Sequence, residues 1–156
     1  MTEQLTNLVE AIAGWRLRLP DARAHLVLMA TELVAAGESH HSVTDLASAY
    51  SDDPGGVLDG IVDRVTDELD LHGALTSDIE ATASRRLCRL VLAGDMSERD
   101  FARWAYEQFL NQSESELINR LASLDDDYYL VEGSRKTTDS LDLRFREIAS
   151  DLLDSA

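Results

Sequence analysis

The chain has very little of several residues that define whole classes of protein. It holds one cysteine among 156 residues, so no disulfide can form within it. That residue, Cys88, lies at an amphipathic helix position and is predicted to be a small buried side chain. No run of about 18 apolar residues, the length that suggests a membrane-spanning helix, occurs anywhere. The first residues lack the pattern of a signal peptide, so we expect a cytoplasmic protein.

Basic residues are also scarce, and lysine is nearly absent. The 14 basic residues are 13 arginines and Lys136, against 30 acidic residues, which gives a net charge of −16. Such a chain repels nucleic-acid phosphates and anionic membranes, so we expect neither as a direct partner. It attracts basic proteins and cations. Solubility alone is the simplest explanation of this charge. The preference for arginine over lysine indicates a GC-rich bacterial source.

Sequence patterns typical of enzymes are missing as well. Neither glycine-rich phosphate-binding pattern occurs, and no G-x-S-x-G nucleophile turn is present. The short-spaced Cys and His pairs of zinc sites are also lacking. We therefore expect a chain without catalytic residues, cofactor or metal, although thirty acids leave many pairs that a magnesium ion would accept.

Two histidines follow a glutamate at residues 38–41, which raises the question of a metal site. Glu38 and His41 have the E-x-x-H spacing of di-iron proteins, but such sites need two of these pairs and the sequence holds one. Gly37 is typical of a residue just past a helix end. Ser42, with Asp45 three residues later, is typical of a helix start. We interpret residues 38–41 as the connection between two helices.

Helical periodicity recurs along the whole chain, and no long run alternates with period two. The pattern predicts an all-α fold, a single domain over residues 1–156 formed by a bundle of about seven to eight short helices without a sheet. Gly37 and Gly94 are predicted helix ends. One late helix either continues to Val131 or restarts at Ser123. Further helix starts are predicted from capping patterns at Ser42, Asp53, Ser77, Ser97 and Ser113.

The first candidate site is an acidic face on the fourth predicted helix. Asp59, Asp63 and Asp67 are four residues apart, so they stack on one face. Like charges at this spacing cost a few tenths of a kcal/mol per pair, so something positive should compensate. Three interpretations stay open: an internal ion-pair lattice with arginines such as Arg85 and Arg89, a magnesium site, or a docking surface for a basic partner.

The second candidate site is the stretch L-D-D-D-Y-Y-L-V-E at residues 124–132. Acidic patches speed encounter with basic proteins, and tyrosine is enriched at interface hot spots. In physical type the stretch resembles the surface of small acidic helical proteins that block basic bacterial toxins, without any shared motif. The alternative is a helix start whose aspartates match the dipole, with one tyrosine packed inward. The contact residues in question are Asp125, Asp126, Asp127, Tyr128 and Tyr129.

These observations favour a non-catalytic protein-binding domain whose partner is a basic protein. A basic toxin is one such partner, and a nucleic-acid-binding protein whose phosphate-facing surface the chain imitates is another. The alternative from a different class is a hydrolase that holds magnesium or manganese with carboxylates from two helices. A third is a self-association module that forms a two-fold homodimer, the commonest symmetry of soluble oligomers.

Overall fold

The computed structural model describes residues 1–76, 79–134 and 136–154. Within these residues the fold is all-helical, as predicted, with nine helices and no strand. No helix in the described part of the chain is long and apolar enough to cross a membrane. The helices are α1 (Glu3–Arg16), α2 (Ala22–Ala35), α3 (His41–Ala47), α4 (Gly55–Glu68), α5 (His72–Thr76), α6 (Ile79–Leu92), α7 (Glu98–Phe109), α8 (Glu116–Glu132) and α9 (Asp139–Asp154).

Backbone contacts group the chain into two compact units, which we call unit 1 (Met1–Ala83) and unit 2 (Ser84–Ala156). Unit 1 contains α1 to α5 and the first turn of α6, and unit 2 contains the rest. A single domain over the full length stays a prediction.

Unit 1 is held together by the apolar stripes of its first four helices, each of which packs against the next along the chain. On α4, the buried side chains are three or four residues apart, the spacing that puts them on one face of a helix. Each fully buried leucine or valine stabilises the fold by about 1.5–3 kcal/mol. The fully or almost fully buried members of this core include Leu8, Ile12, Leu26, Val43, Leu46, Leu58, Val62 and Val65.

Unit 2 has an aromatic core. The rings of Phe101 and Phe145 lie edge to face with centroids 5.1 Å apart, which joins α7 to α9. Trp104 extends this cluster with edge-to-face contacts to Phe101 and Phe109. Cys88 on α6 is fully buried, as predicted, and burial raises the pKa of its thiol to about 12.

Four helices end in the same hydrogen-bonded motif. After α1, the backbone N–H of Leu19 donates to the carbonyl of Gly14, and Arg18, the residue just before Leu19, takes a left-handed conformation. The equivalent left-handed residues after α2 and α6 are Gly37 and Gly94, so both predicted ends are confirmed. The left-handed residue after α4 is Asp70. The one after α1, Arg18, has a φ of 58°.

Several predicted helix starts are wrong by one or two residues. The third helix begins at His41 rather than after Ser42, because Ser42 is buried and its hydroxyl donates to Glu68 instead of capping. The fourth begins after Pro54, since the Asp53 carboxylate accepts the N–H of Tyr50.

The remaining predicted starts have mixed outcomes. Ser97 caps α7 as predicted, accepting the N–H of Asp100. Ser115, not Ser113, caps α8, which then runs without a restart through Ser123 to Glu132. The short helix α5 was not predicted, and the start at Ser77 lies outside the described residues.

Replacing Arg18 with glycine should stabilise the fold. A residue with a Cβ is disfavoured in the left-handed region because that atom lies too close to the following carbonyl oxygen, and glycine relieves this by about 1 kcal/mol. Urea denaturation of Arg18→Gly should show this gain. Asp70→Gly, at the equivalent end of α4, should gain less, because aspartate tolerates this conformation better than arginine. A loss of stability in Arg18→Gly would contradict the assignment.

Candidate functional site

The acidic face of α4, formed by Asp59, Asp63 and Asp67, starts beside the buried stripe of the helix at Asp59 and turns away from it toward Asp67. All three side chains are exposed. The exposed fraction is 74% for the Asp63 side chain and 68% for the Asp67 side chain. The structure therefore brings the three residues together in the row that their spacing predicts.

Each of the three carboxylates has one neighbour within unit 1. Asp59 accepts a hydrogen bond of 2.8 Å from the indole N–H of Trp15. Asp63 lies 3.8 Å from a guanidinium nitrogen of Arg16, and Asp67 lies 2.5 Å from Nε2 of His72. Exposed ion pairs of this kind contribute about 0–1 kcal/mol, so they hold the row in place without strongly stabilising the fold.

These neighbours neutralise the row only in part. Among the described residues of unit 1, Arg16 is the one arginine within ion-pair distance of any of the three carboxylates. The neighbour of Asp59 is an indole, which brings no positive charge. Unit 1 carries 15 acidic and 4 basic residues, a net charge of −11, whereas unit 2 carries 15 and 10, a net charge of −5. Most of the surplus negative charge therefore belongs to the unit that holds this face.

The predicted connection is confirmed for residues 38–40, since α2 ends at Ala35 and α3 begins at His41, which is helical and not part of the connection. The Glu38 carboxylate accepts the N–H groups of Ser39 and His40 and lies 2.5 Å from Nδ1 of His40. These hydrogen bonds, those of His40 foremost, lower the pKa of Glu38. Across the described ranges, no group of three or more His, Cys, Asp or Glu side chains is arranged to hold a metal ion.

The second candidate stretch forms the second half of α8 and ends with that helix at Glu132, so its interpretation as a helix start is wrong. Asp125 binds the guanidinium of Arg99, which also donates to Glu132 over 2.6 Å and lies 5.7 Å from the ring centroid of Tyr128. Burial alone would lower the pKa of Arg99, but the two carboxylates outweigh it and raise that pKa. This arginine ties α7 to α8.

Tyr128 must be removed from the predicted contact surface. It is fully buried, because it falls on the same face of α8 as Leu121 and Leu124. Its hydroxyl donates to Asp142 on α9 over 2.7 Å. Burial, and then this hydrogen bond to a carboxylate, raise the pKa of Tyr128 above its ordinary value. The inward-packed tyrosine of the alternative interpretation is therefore present.

The rest of the stretch stays at the surface. Asp127 lies 4.0 Å from Arg144, and Asp126 has no ion-pair partner among the residues that the structure describes. Tyr129 is 73% exposed, and Leu130 beside it is 70% exposed. The exposed part of the stretch is therefore smaller than the sequence predicts, and its role as a contact region stays a prediction.

Sequence reasoning missed an apolar groove in unit 1. It has a volume of about 350 Å³, and its floor comes from α2 and from the residues that follow α3. Two large side chains there are exposed, Leu28 by 52% and Tyr50 by 73%. Neither stands out in sequence, because single exposed apolar residues are common on proteins. We call this the α2–α3 groove; it is lined by Arg23, Ala24, Val27, Leu28, Thr31, Ala49, Tyr50 and Ser51, and the Arg23 guanidinium is engaged by the carbonyls of Tyr50 and Asp53.

Acidic residues flank the α2–α3 groove. Glu32 follows Leu28 by one helical turn, which places both on the same face of α2. Asp52 and Asp53 follow Tyr50 directly, and the Asp53 carboxylate accepts the N–H of Tyr50 over 2.8 Å. An apolar floor with acidic neighbours is complementary to a segment that carries both apolar and basic side chains.

The two tyrosines of α8 give a direct test of this geometry. Tyr128→Phe removes the hydrogen bond to Asp142 and should lower the free energy of unfolding by about 1–3 kcal/mol. Tyr129→Phe is the matched control, and its effect should stay within about 0.5 kcal/mol because the side chain is exposed. Urea denaturation of both variants measures the difference, and equal effects would show that Tyr128 is not held as described.

Comparison with known proteins adds no functional residue to these. The chain matches no protein-family model, no curated protein and no solved structure at a significant level. The case for a function therefore depends on the side chains, charges and cavities described above.

Proposed function

We propose that the chain is a non-catalytic protein-binding domain that docks a basic protein on the acidic surface of unit 1. The observation that supports this most is the exposed, partly neutralised row of Asp59, Asp63 and Asp67 on a unit of net charge −11. Such a field raises the rate of encounter with a positively charged surface. The partner surface would be rich in lysine and arginine, as in a basic toxin or the phosphate-binding face of a nucleic-acid-binding protein.

Electrostatic attraction raises the association rate and orients the partner more than it raises affinity, so a stable complex also needs buried apolar contact. The α2–α3 groove supplies this, because its volume of about 350 Å³ accommodates one or two apolar side chains. Its acidic neighbours favour an amphipathic segment whose lysine or arginine residues flank an apolar anchor. A second copy of the chain is a poorer occupant, since it brings a net charge of −16 to the same surface.

Decalysine binding to the α4 row should depend on both salt and position. Measured by fluorescence anisotropy, affinity should fall steeply as sodium chloride is raised, because ions screen exposed charges. The triple variant Asp59→Asn, Asp63→Asn, Asp67→Asn should bind about tenfold more weakly, which corresponds to a loss of about 1.4 kcal/mol.

A matched control separates the α4 row from total charge. The triple variant Glu107→Gln, Glu114→Gln, Asp151→Asn removes three exposed carboxylates from unit 2 and changes the net charge by the same amount. It should weaken decalysine binding much less than the α4 variant. Equal weakening, or affinity that does not respond to salt, would contradict docking on the acidic face.

The contribution of the α2–α3 groove is tested with two peptides of equal charge. One carries lysines and leucines at helical spacing, and in the other every leucine is replaced by alanine. The wild-type chain should prefer the leucine peptide, and Leu28→Asn should abolish that preference. Leu143→Asn, which changes an exposed leucine on α9, is the control and should leave it intact. Equal binding of the two peptides would show that docking is electrostatic alone.

A further inference from the structure

Three of the four arginines of unit 1 line one cavity. It has a volume of about 550 Å³ and lies where α1 turns into α2. We call it the arginine pocket and define it by Trp15, Arg16, Arg18, Arg23 and Asp59. Unit 1 has 15 acidic residues and only four arginines. Three of these arginines nevertheless lie around one cavity, although like charges repel one another. The concentration of positive charge is local, and the surrounding surface is negative.

Arg18 is the residue that points most directly to a ligand. It occupies the left-handed position after α1, where the equivalent residues are glycines after α2 and α6 and an aspartate, which tolerates this conformation better than arginine, after α4. Arginine is therefore kept where glycine would fit the backbone better. Its side chain lines the arginine pocket. Among the described residues its guanidinium has no hydrogen bond and no ion pair, so all five of its N–H donors remain available.

Two other walls of the pocket are fixed by contacts within unit 1. The Arg23 guanidinium donates to the carbonyls of Tyr50 and Asp53 over 3.2 and 2.8 Å and lies 5.7 Å from the ring centroid of Trp15. The indole N–H of Trp15 is in turn held by Asp59. A ligand therefore meets an ordered aromatic and cationic wall, which lowers the entropy cost of binding.

Arg16 is held more loosely than Arg23. Its guanidinium lies 3.8 Å from the Asp63 carboxylate and 3.5 Å from the Thr66 hydroxyl, both at the long end of polar contacts. It can therefore turn toward a ligand at low cost. Together, Arg16 and Arg18 provide two guanidinium groups for one anion, and a planar guanidinium matches a carboxylate through paired hydrogen bonds.

We infer that the arginine pocket binds a small organic carboxylate. Leu19, Pro20 and Ala22 add apolar lining, which suits a ligand with an apolar body behind its charged group. A single negative charge is favoured over a doubly charged phosphate, because Asp59 and the net charge of −11 on unit 1 repel each additional charge. The arginine pocket shares Asp59 with the acidic row and Arg23 with the α2–α3 groove, but Arg16 and Arg18, which would hold the carboxylate, belong to neither.

Benzoate and hexanoate are the probes, one flat and one flexible, and calorimetry on the full chain measures their binding. At least one should saturate with a Kd of about 1 mM or tighter. Benzamide, the neutral isostere of benzoate, and phenyl phosphate, its doubly charged counterpart, should both bind more weakly. Failure of both carboxylates to saturate, equal binding of benzamide, or tighter binding of phenyl phosphate would each overturn the inference.

Arg18→Gly locates the site without endangering the fold. It should weaken carboxylate binding by at least about tenfold, since it removes charge-assisted hydrogen bonds. It should also raise the melting temperature by about 2–4 °C, because it removes the unfavourable backbone conformation. Asp70→Gly is the control, because it makes the same kind of change at the end of α4. It should leave carboxylate binding unaltered. Undiminished binding in Arg18→Gly would overturn the assignment.

Discussion

Burial of Leu58, Val62 and Val65 in the core of unit 1 fixes how α4 is rotated about its own axis. Once those side chains point inward, the 3.6-residue period turns Asp63 and Asp67 away from the core and places Asp59 at the edge of the buried face. The acidic face is therefore a consequence of core packing as much as of the charges themselves. The same packing places Trp15 and Arg16 of α1 beside that face, where they contact its carboxylates.

The class of fold and the acidic row on α4 could both be predicted from the sequence, because both depend on the spacing of apolar residues along the chain. The sequence located several helix starts less well, since Ser42 has a tertiary partner in Glu68 and Asp53 accepts the N–H of Tyr50 within its own turn, and both contacts compete with capping. The burial of Tyr128 could not be predicted from the sequence, because it depends on packing against α9. The α2–α3 groove and the arginine pocket join residues from separate segments, and no local spacing reveals them.

Unit 1 segregates its charges rather than mixing them. Carboxylates occupy the outer face of α4, while three of its four arginines surround one cavity at the turn between α1 and α2. Asp59 belongs to both regions, since it lines that cavity and also begins the acidic row. At the same turn, Arg18 keeps a backbone conformation that glycine would adopt more easily. Residues that reduce stability and yet line a cavity are typical of sites under functional constraint.

Cys88 has a practical consequence for anyone who handles the chain. Its sulfur is fully enclosed on α6, and the raised pKa keeps the thiol protonated at neutral pH. A thiol-specific reagent can modify it only during a transient opening of the surrounding helices. Because no other cysteine competes, the labelling rate in native buffer reports how often that part of the molecule opens. The chain thus carries its own probe of local motion, with no engineered label required.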